Sequence, residues 1–247
     1  MNPVIKEILS HRSIRKFKPD SIPEDDLKSI LDCAQAASTS NTMQAYSVIA
    51  IRDSALKQSI AEISGNQKWI IECPAFLIWC ADMYRIQYSL TQESPEIAIS
   101  GTVEHLISAT VDTSLAAQNA AIAAESLGYG IVFIGGIRNH LDQLSQLLQL
   151  PKLVYPVFGM CLGVPDQEPI VRPRLPQPLI VHHETYSTDH YQTLIEEYNN
   201  TNRSYMKIRS NGTSDESWTE KLAEKLSRPR RKDLKKHLRE QGYHLEQ

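Results

Sequence analysis

Much of what usually announces a function is missing from this chain of 247 residues. No Gly-x-Gly-x-x-Gly turn is present: Gly128-Tyr129-Gly130 lacks a third glycine at the required spacing, which excludes the dinucleotide fingerprint. There is no phosphate-binding P-loop, no Gly-x-Ser-x-Gly elbow and no His-Glu-x-x-His helix. Kinase, serine-hydrolase and zinc-protease readings therefore have no support. The four cysteines, Cys33, Cys73, Cys80 and Cys161, are scattered with no Cys-x-x-Cys pair. They read as reduced, small apolar residues rather than a disulfide frame. His182-His183-Glu184 is a dense imidazole and carboxylate group, but no second half of a metal site stands at a recognised spacing, so no metal is expected. Met1 to Ser10 carries Lys6 and Glu7 and lacks the apolar core of an export signal. Leu106 to Leu127, the most apolar long stretch, contains Asp112, Gln118, Asn119 and Glu125, too polar for a membrane span. The expected setting is cytoplasmic, with no membrane partner. A net charge of −3 gives no field that would gather nucleic acid.

What remains is ordinary globular material, 41% hydrophobic and 22% charged, enough for one large domain or a domain with an excursion. Its most distinctive stretch is His11-Arg12-Ser13-Ile14-Arg15, with two guanidiniums, an imidazole and a hydroxyl in five residues. Val4-Ile5-Lys6-Glu7-Ile8-Leu9 before it has helical apolar spacing, and Pro19 closes the segment. The cluster is thus expected on an extended stretch after a first helix. There Arg12 and Ser13 can reach a phosphate together, one with a planar fork of donors and the other with a small hydroxyl. A solvated basic turn is the alternative.

Along the chain, Ser21-Ile22-Pro23-Glu24 reads as a capping box opening a helix whose Leu27, Ile30, Leu31 and Ala34 form one face. Ser38-Thr39-Ser40-Asn41-Thr42 ends it in small polar side chains, either a plain loop or a set of donors to a polar ligand. Tyr46 to Ile51 reads as a strand and Ala55 to Ile63 as a helix. Ala75 to Ala81, nearly unbroken in apolar residues, suits a central strand covered on both faces. Gln87 to Gly101, with Pro95, reads as a connection or insertion. Glu104 to Leu127 is the longest helical pattern, ended by Gly128 and rich in alanine, which suits burial at the domain centre or at a subunit contact. The strand Gly130 to Ile134 runs into Gly135-Gly136, where the absence of Cβ atoms admits a close neighbour. Arg172-Pro173-Arg174-Leu175-Pro176 sets two further guanidiniums on a stretch stiffened by proline. Arg228-Pro229-Arg230-Arg231-Lys232 is a basic run, the kind that is usually a solvated face. Residues alone support a mixed α/β protein with two anion-capable segments and a Gly-Gly strand end.

Taken together these pieces resemble the nitroreductase superfamily, and within it the oxygen-insensitive NADPH nitroreductases and NADPH-flavin oxidoreductases. The resemblance rests on His11-Arg12-Ser13-Ile14-Arg15, Gln67-Lys68, Phe133-Ile134-Gly135-Gly136 and Arg172-Pro173-Arg174-Leu175-Pro176. Val111-Asp112-Thr113, Ala117-Gln118-Asn119-Ala120 and Ala123 to Gly128 match as well, and the likeness covers roughly residues 1 to 230. It implies an α+β fold with a central, mostly antiparallel sheet flanked by helices, in an intertwined homodimer. It also implies a core domain over 1–200, with an excursion around 87–103, and a C-terminal extension over 201–247 carrying an NAD(P)H-binding loop and a basic tail. The implied cofactor is FMN, with NADPH or NADH as co-substrate. Arg12, Ser13, Arg172 and Arg174 would then gather round the phosphate, and Arg15 would sit at the N1–C2=O edge of the ring. Gln67, with neighbouring Lys68, would meet the pyrimidine edge, and His11 would lie along the cofactor. Phe133 and Ile134 would lead the chain to Gly135 and Gly136, whose N–H groups would face N5 and O4. Ser38, Thr39, Ser40 and Gln44 would reach in from the other subunit.

The implied activity is ping-pong transfer of electrons from NAD(P)H, through FMN, to nitroaromatics, quinones or free flavin, small-molecule acceptors that need no side-chain nucleophile. A flavin-binding storage or sensing protein is the alternative, and a nucleic-acid module built on Arg228 to Lys236 is a third possibility opposed by the acidic net charge. Two departures stand out. Arg172 occupies a position where the family places Lys, which keeps the charge. Arg209 matches one of two basic residues expected to hold a 2′-phosphate, while the region of the other reads Asn211-Gly212-Thr213-Ser214. NADPH and NADH both stay open. Arg228 is placed near the pocket by the same likeness.

Overall fold

The computed structural model describes residues 1–94, 96, 98–99 and 101–246. In chain order the first elements are α1 (Pro3–Ser10), α2 (Glu24–Gln35), β1 (Tyr46–Ile51), α3 (Ser54–Ile63), α4 (Lys68–Glu72), β2 (Ala75–Asp82) and α5 (Tyr84–Glu93). Then come β3 (Gly101–Thr102), α6 (Val103–Ser126), β4 (Gly130–Ile134), α7 (Leu141–Leu147) and β5 (Val154–Gly163). The last are α8 (Tyr191–Arg209), α9 (Trp218–Leu226), α10 (Leu234–Glu240) and β6 (Tyr243–His244). Among the described residues no helix is long and apolar enough to cross a membrane.

The chain forms two compact units, Met1–Glu168 with Arg231–Gln247, and Pro169–Arg230. The divisions thus fall after residues 168 and 230, whereas residue 200, the boundary expected from sequence, lies inside the continuous helix α8.

The larger unit is built on a four-stranded sheet in the order β1-β2-β5-β4, with every neighbouring pair antiparallel, so the class is α+β. The apolar run after Pro74 forms β2, an inner strand with all its residues buried. Strand periodicity of two splits that run between two cores. Phe76, Ile78 and Cys80 join Ile60, Ile70 and Leu144 on one face, while Leu77 and Trp79 meet Ile30 and Ala116, Ala120 and Ala121 of α6 on the other. Helices therefore cover both faces of the sheet, with α3, α4 and α7 on one side and α2 and α6 on the other. Burying Phe76, Leu77, Ile78 and Trp79 stabilises the sheet by about 1.5–3 kcal/mol per side chain.

The alanines of α6 lie against α2 and the sheet, but Ile107, Val111 and Leu115 on the same helix are exposed. In α1, Val4, Ile5, Ile8 and Leu9 are exposed as well, and no residue of that helix is buried. The returning segment 231–247 is tied in by the Tyr243 hydroxyl, which donates to the Leu153 carbonyl at 2.9 Å, and by a hydrogen bond between the His237 ring and Asp142.

Two local expectations differ. No capping box forms at Ser21: the N-cap of α2 is Pro23 with no side-chain bond, and the Glu24 carboxylate accepts from Arg52 instead. The first half of the stretch read as a connection, Gln87 to Gly101, is largely helical as α5, because Ile86 and Leu90 at helical spacing give it a partly buried side. Pro95 lies outside the described residues.

In the smaller unit, α8 carries Tyr198, Asn202 and Met206 on a buried face. Helix α9 opens with a formed capping box, Ser217 with Glu220. Asn202 donates to the Glu216 carbonyl at 3.0 Å, and Tyr198 packs edge-on against Trp218.

Candidate functional site

The segment after α1 runs as a strap along the end of the main sheet. Its Ile14 N–H donates to the Ile131 carbonyl at 2.9 Å, its Lys18 N–H to Val164 at 2.9 Å, and Asp166 N–H donates to the Lys16 carbonyl at 3.0 Å. Buried Ile14 fills the place of a side chain at Gly130, where an added Cβ would stand 2.6 Å from Ile14 Cγ1. Ile14 and Phe17 are buried in the core, while Arg12, Ser13 and Arg15 on the same strap are half-buried.

Three distant segments meet here. The Arg15 guanidinium lies 5.9 Å from the centroid of the Trp69 ring, a cation–π distance. Trp69 Nε1 donates to Gln67 Oε1 at 3.0 Å, and Gln67 Nε2 donates to the Ser64 carbonyl at 2.9 Å. Gln67 in turn lies on Gly136: a Cβ there would come within 2.0 Å of Gln67 Nε2 and 2.6 Å of the Ser64 carbonyl oxygen. Gly136 is therefore required by a close approach within the chain itself, and neither Gly135 nor Gly136 has positive φ. Among the residues singled out in the sequence, Arg15, Gln67, Gly135 and Gly136 are thus brought together. Phe133 is exposed and sits edge-on to Phe158 at 5.2 Å between centroids, while Ile134 is buried. Lys68 is exposed at the start of α4.

Others lie apart or hold other partners. His11 Nδ1 is 2.6 Å from Glu125 Oε1, so this imidazole is engaged by the end of α6. Arg12 Nη2 reaches exposed Glu168 at 3.5 Å, a solvent-screened contact worth little. Ser38, Thr39, Ser40 and Gln44 sit on a loop after α2, where the Ser40 N–H donates to Asp112 at 2.8 Å. Within the smaller unit, Arg172 lies over the Tyr205 ring at 5.7 Å and donates to Asn202 Oδ1 at 3.4 Å; Arg174, Arg209 and Arg228 are exposed. Among the described residues, no group of histidine, cysteine and carboxylate side chains could hold a metal, His182-His183-Glu184 included.

Three residues of this cluster escape the sequence reading: Arg231, Arg138 and Trp69, which joins Arg15 to Gln67. Arg231 Nη2 donates to the Gly135 carbonyl at 2.7 Å, and the Arg138 guanidinium approaches Gly135 as well while donating to the Val157 carbonyl. Burial lowers the pKa of Arg138 from its ordinary value. Arg138 stands three residues after Gly135 and could have been suspected from that spacing. Arg231 offers no such signal, since it lies in a basic run that reads as solvated.

A fixed guanidinium beside an indole, an amide, and a glycine strand end carrying two more guanidiniums make a polar cradle. Fold and cradle together define an α+β protein with a polar, cationic cradle at the end of its sheet. The chain belongs to the nitroreductase family: the model of that family matches residues 8–164, and that of its C-terminal domain residues 172–246. It is 36% identical to the FMN reductase (NADPH) of Bacillus subtilis (strain 168), covering 98% of this chain and 99% of that protein. It is 35% identical to an FMN reductase [NAD(P)H] of the same organism, over the whole of both chains. The solved structure of B. megaterium NfrA1 superposes with a TM-score of 0.94 at 39% identity, over 98% of this chain and 99% of that one.

Proposed function

We propose that the protein is a homodimeric, FMN-dependent NAD(P)H oxidoreductase that reduces nitroaromatics, quinones or free flavin. The observation that carries this reading is the convergence of Arg15, Gln67 and Gly136 through Trp69. The donor set fits an isoalloxazine: a cation for its electron-rich edge, an amide for its pyrimidine edge and backbone N–H groups at the strand end. Bound FMN would supply the chemistry, taking electrons from NAD(P)H and passing them to the acceptor in a second half-reaction.

The protein's part is to position and to stabilise charge. Arg15 is held by the strap and by the Trp69 ring, so its charge stands fixed where negative charge develops on reduction. Gln67 is oriented by two bonds, to Trp69 and to Ser64, and keeps one amide hydrogen for a ligand carbonyl. Arg231 and Arg138 flank Gly135 and add positive potential at the ring's far edge. Arg12 and Ser13 take the phosphate, and His11 steadies their strap through Glu125. Assignment of Arg172 and Arg174 to the phosphate, and of Arg209 and Arg228 to NAD(P)H, rests on the family resemblance. The exposed apolar faces of α1 (Val4, Ile5, Ile8, Leu9) and α6 (Ile107, Val111, Leu115) are the surfaces a second subunit covers. Ser38, Thr39, Ser40 and Gln44 then serve the other subunit's cofactor.

The test is direct. Purified protein carries flavin absorbance near ~450 nm and bleaches within seconds of anaerobic NADH or NADPH, then regains colour on adding a quinone or nitroaromatic. A colourless protein that cannot be reconstituted with FMN refutes the proposal, and a yellow one that resists bleaching reduces it to flavin storage.

A further inference from the structure

The loop after α2 combines strain with unusually complete backbone restraint. Three of its non-glycine residues, Asn41, Thr42 and Gln44, hold positive φ of 45°, 58° and 50°. A left-handed conformation at such residues persists only where the surroundings over-determine it. Here they do so from three directions. Asp112, on α6 and 0% exposed, accepts the Ser40 N–H at 2.8 Å with one carboxylate oxygen and the Ala45 N–H at 3.0 Å with the other. Arg85 donates to the Gln44 carbonyl at 2.8 Å and the Tyr46 carbonyl at 2.6 Å. The Asp82 N–H donates to the Ala45 carbonyl at 2.9 Å. While the backbone is held, the side chains of Ser38, Asn41, Thr42 and Gln44 stay exposed. A fully buried carboxylate spent on two backbone amides is expensive to desolvate, which a passive surface loop would not require.

We infer that Asp112 and Arg85 are positioning residues that hold the 38–45 loop in the conformation in which it presents its side chains to the flavin of the other subunit. This rests on the FMN reading above. Asp112 acts on the amide side of the loop and Arg85 on the carbonyl side, so either loss releases Gln44 from its left-handed conformation.

Asp112→Asn keeps the shape of the side chain but turns one acceptor into a donor facing an N–H. Arg85→Ala works from an exposed position and spares the core, so it stays informative where Asp112→Asn fails to fold. Each is reconstituted with FMN beside the unchanged protein and beside Asp53→Ala, which removes the side-chain N-cap of α3, a helix packed in the other core, as a control for general destabilisation. Both loop variants are expected to weaken FMN binding by about tenfold or more, the equivalent of one lost charge-assisted bond. They should also change the visible circular dichroism of bound flavin and lose hydrogen-exchange protection at Ala45, while Asp53→Ala changes none of these. If the unchanged protein takes up no FMN, the flavin reading falls. If it does, and either loop variant that folds keeps its FMN affinity and flavin dichroism, the positioning role alone is overturned.

Discussion

Replacing Gly136 by alanine tests the packing logic of the cradle with a single methyl group. The new Cβ would stand 2.0 Å from Gln67 Nε2 and 2.6 Å from the Ser64 carbonyl oxygen. The Gln67 amide can swing away, but in doing so it gives up its bond to Ser64 and leaves the Trp69 indole N–H without its acceptor. The Ser64 carbonyl is backbone and must shift with its turn. Overpacking costs about 1–3 kcal/mol, and the two lost hydrogen bonds about 1 kcal/mol each. Reduced freedom of the unfolded chain returns about 0.4–1 kcal/mol. The net expectation is a loss of about 2–4 kcal/mol, or about 5–15 °C in Tm for a chain of this size. Gly135→Ala is the paired control: its Cβ would meet nothing closer than 3.5 Å, and its φ is not positive. Urea titration followed by far-ultraviolet dichroism should show Gly135→Ala within about 1 kcal/mol of the parent. Gly136→Ala should also weaken FMN binding, because it displaces Gln67; Gly135→Ala serves as the control for stability alone. Equal stability of the two variants, in either direction, would refute the reasoning.

Other expectations follow from the same geometry. Arg12→Ala should weaken FMN binding by about 1.5–3 kcal/mol, read by fluorescence titration of the apoprotein, and an unchanged Kd removes Arg12 from the phosphate. Arg209→Ala should raise KM for NADPH and leave that for NADH nearly alone; an equal effect on both rejects a 2′-phosphate contact. Of the four cysteines, exposed Cys33 should react at once with a thiol reagent at neutral pH and the buried Cys73, Cys80 and Cys161 only on unfolding. Burial pushes the Cys80 thiol up to about 12, so its thiolate is scarce at neutral pH as well as shielded. Fast labelling of a second thiol in the native protein would contradict that burial.

Much of this was legible before any fold was known. The run Ala75 to Ala81, nearly unbroken in apolar residues, suits a strand covered on both faces, and it is the inner strand β2. The alanine-rich stretch ending at Gly128 reads as a long helix suited to close packing, and it is α6, whose alanines are buried against α2 and the sheet. The capping box suggested by Ser21 and Glu24 does not form: α2 starts after Pro23, and Glu24 pairs with Arg52, which lies 28 residues away and cannot be seen from local spacing.

What sequence alone determined was the inventory: the strap with its two guanidiniums, the Gly-Gly strand end, the periodicities of helix and strand, and the likeness to the nitroreductases. Those properties are local, fixed by residue type and near neighbours. Tertiary structure alone decided which residues outside these segments join them. Arg231 meets Gly135 across 96 residues, and Asp112 meets Ser40 across 72. Neither partner is visible from local sequence: Arg231 is a charge in a basic run, and Asp112, though part of a matching motif, reads as a polar interruption of an apolar helix. Their roles arise because folding the sheet places a buried carboxylate under a strained loop, and a returning C-terminal segment against a carbonyl that needs a donor. A buried polar group finds its partner only once the chain has excluded water from around it.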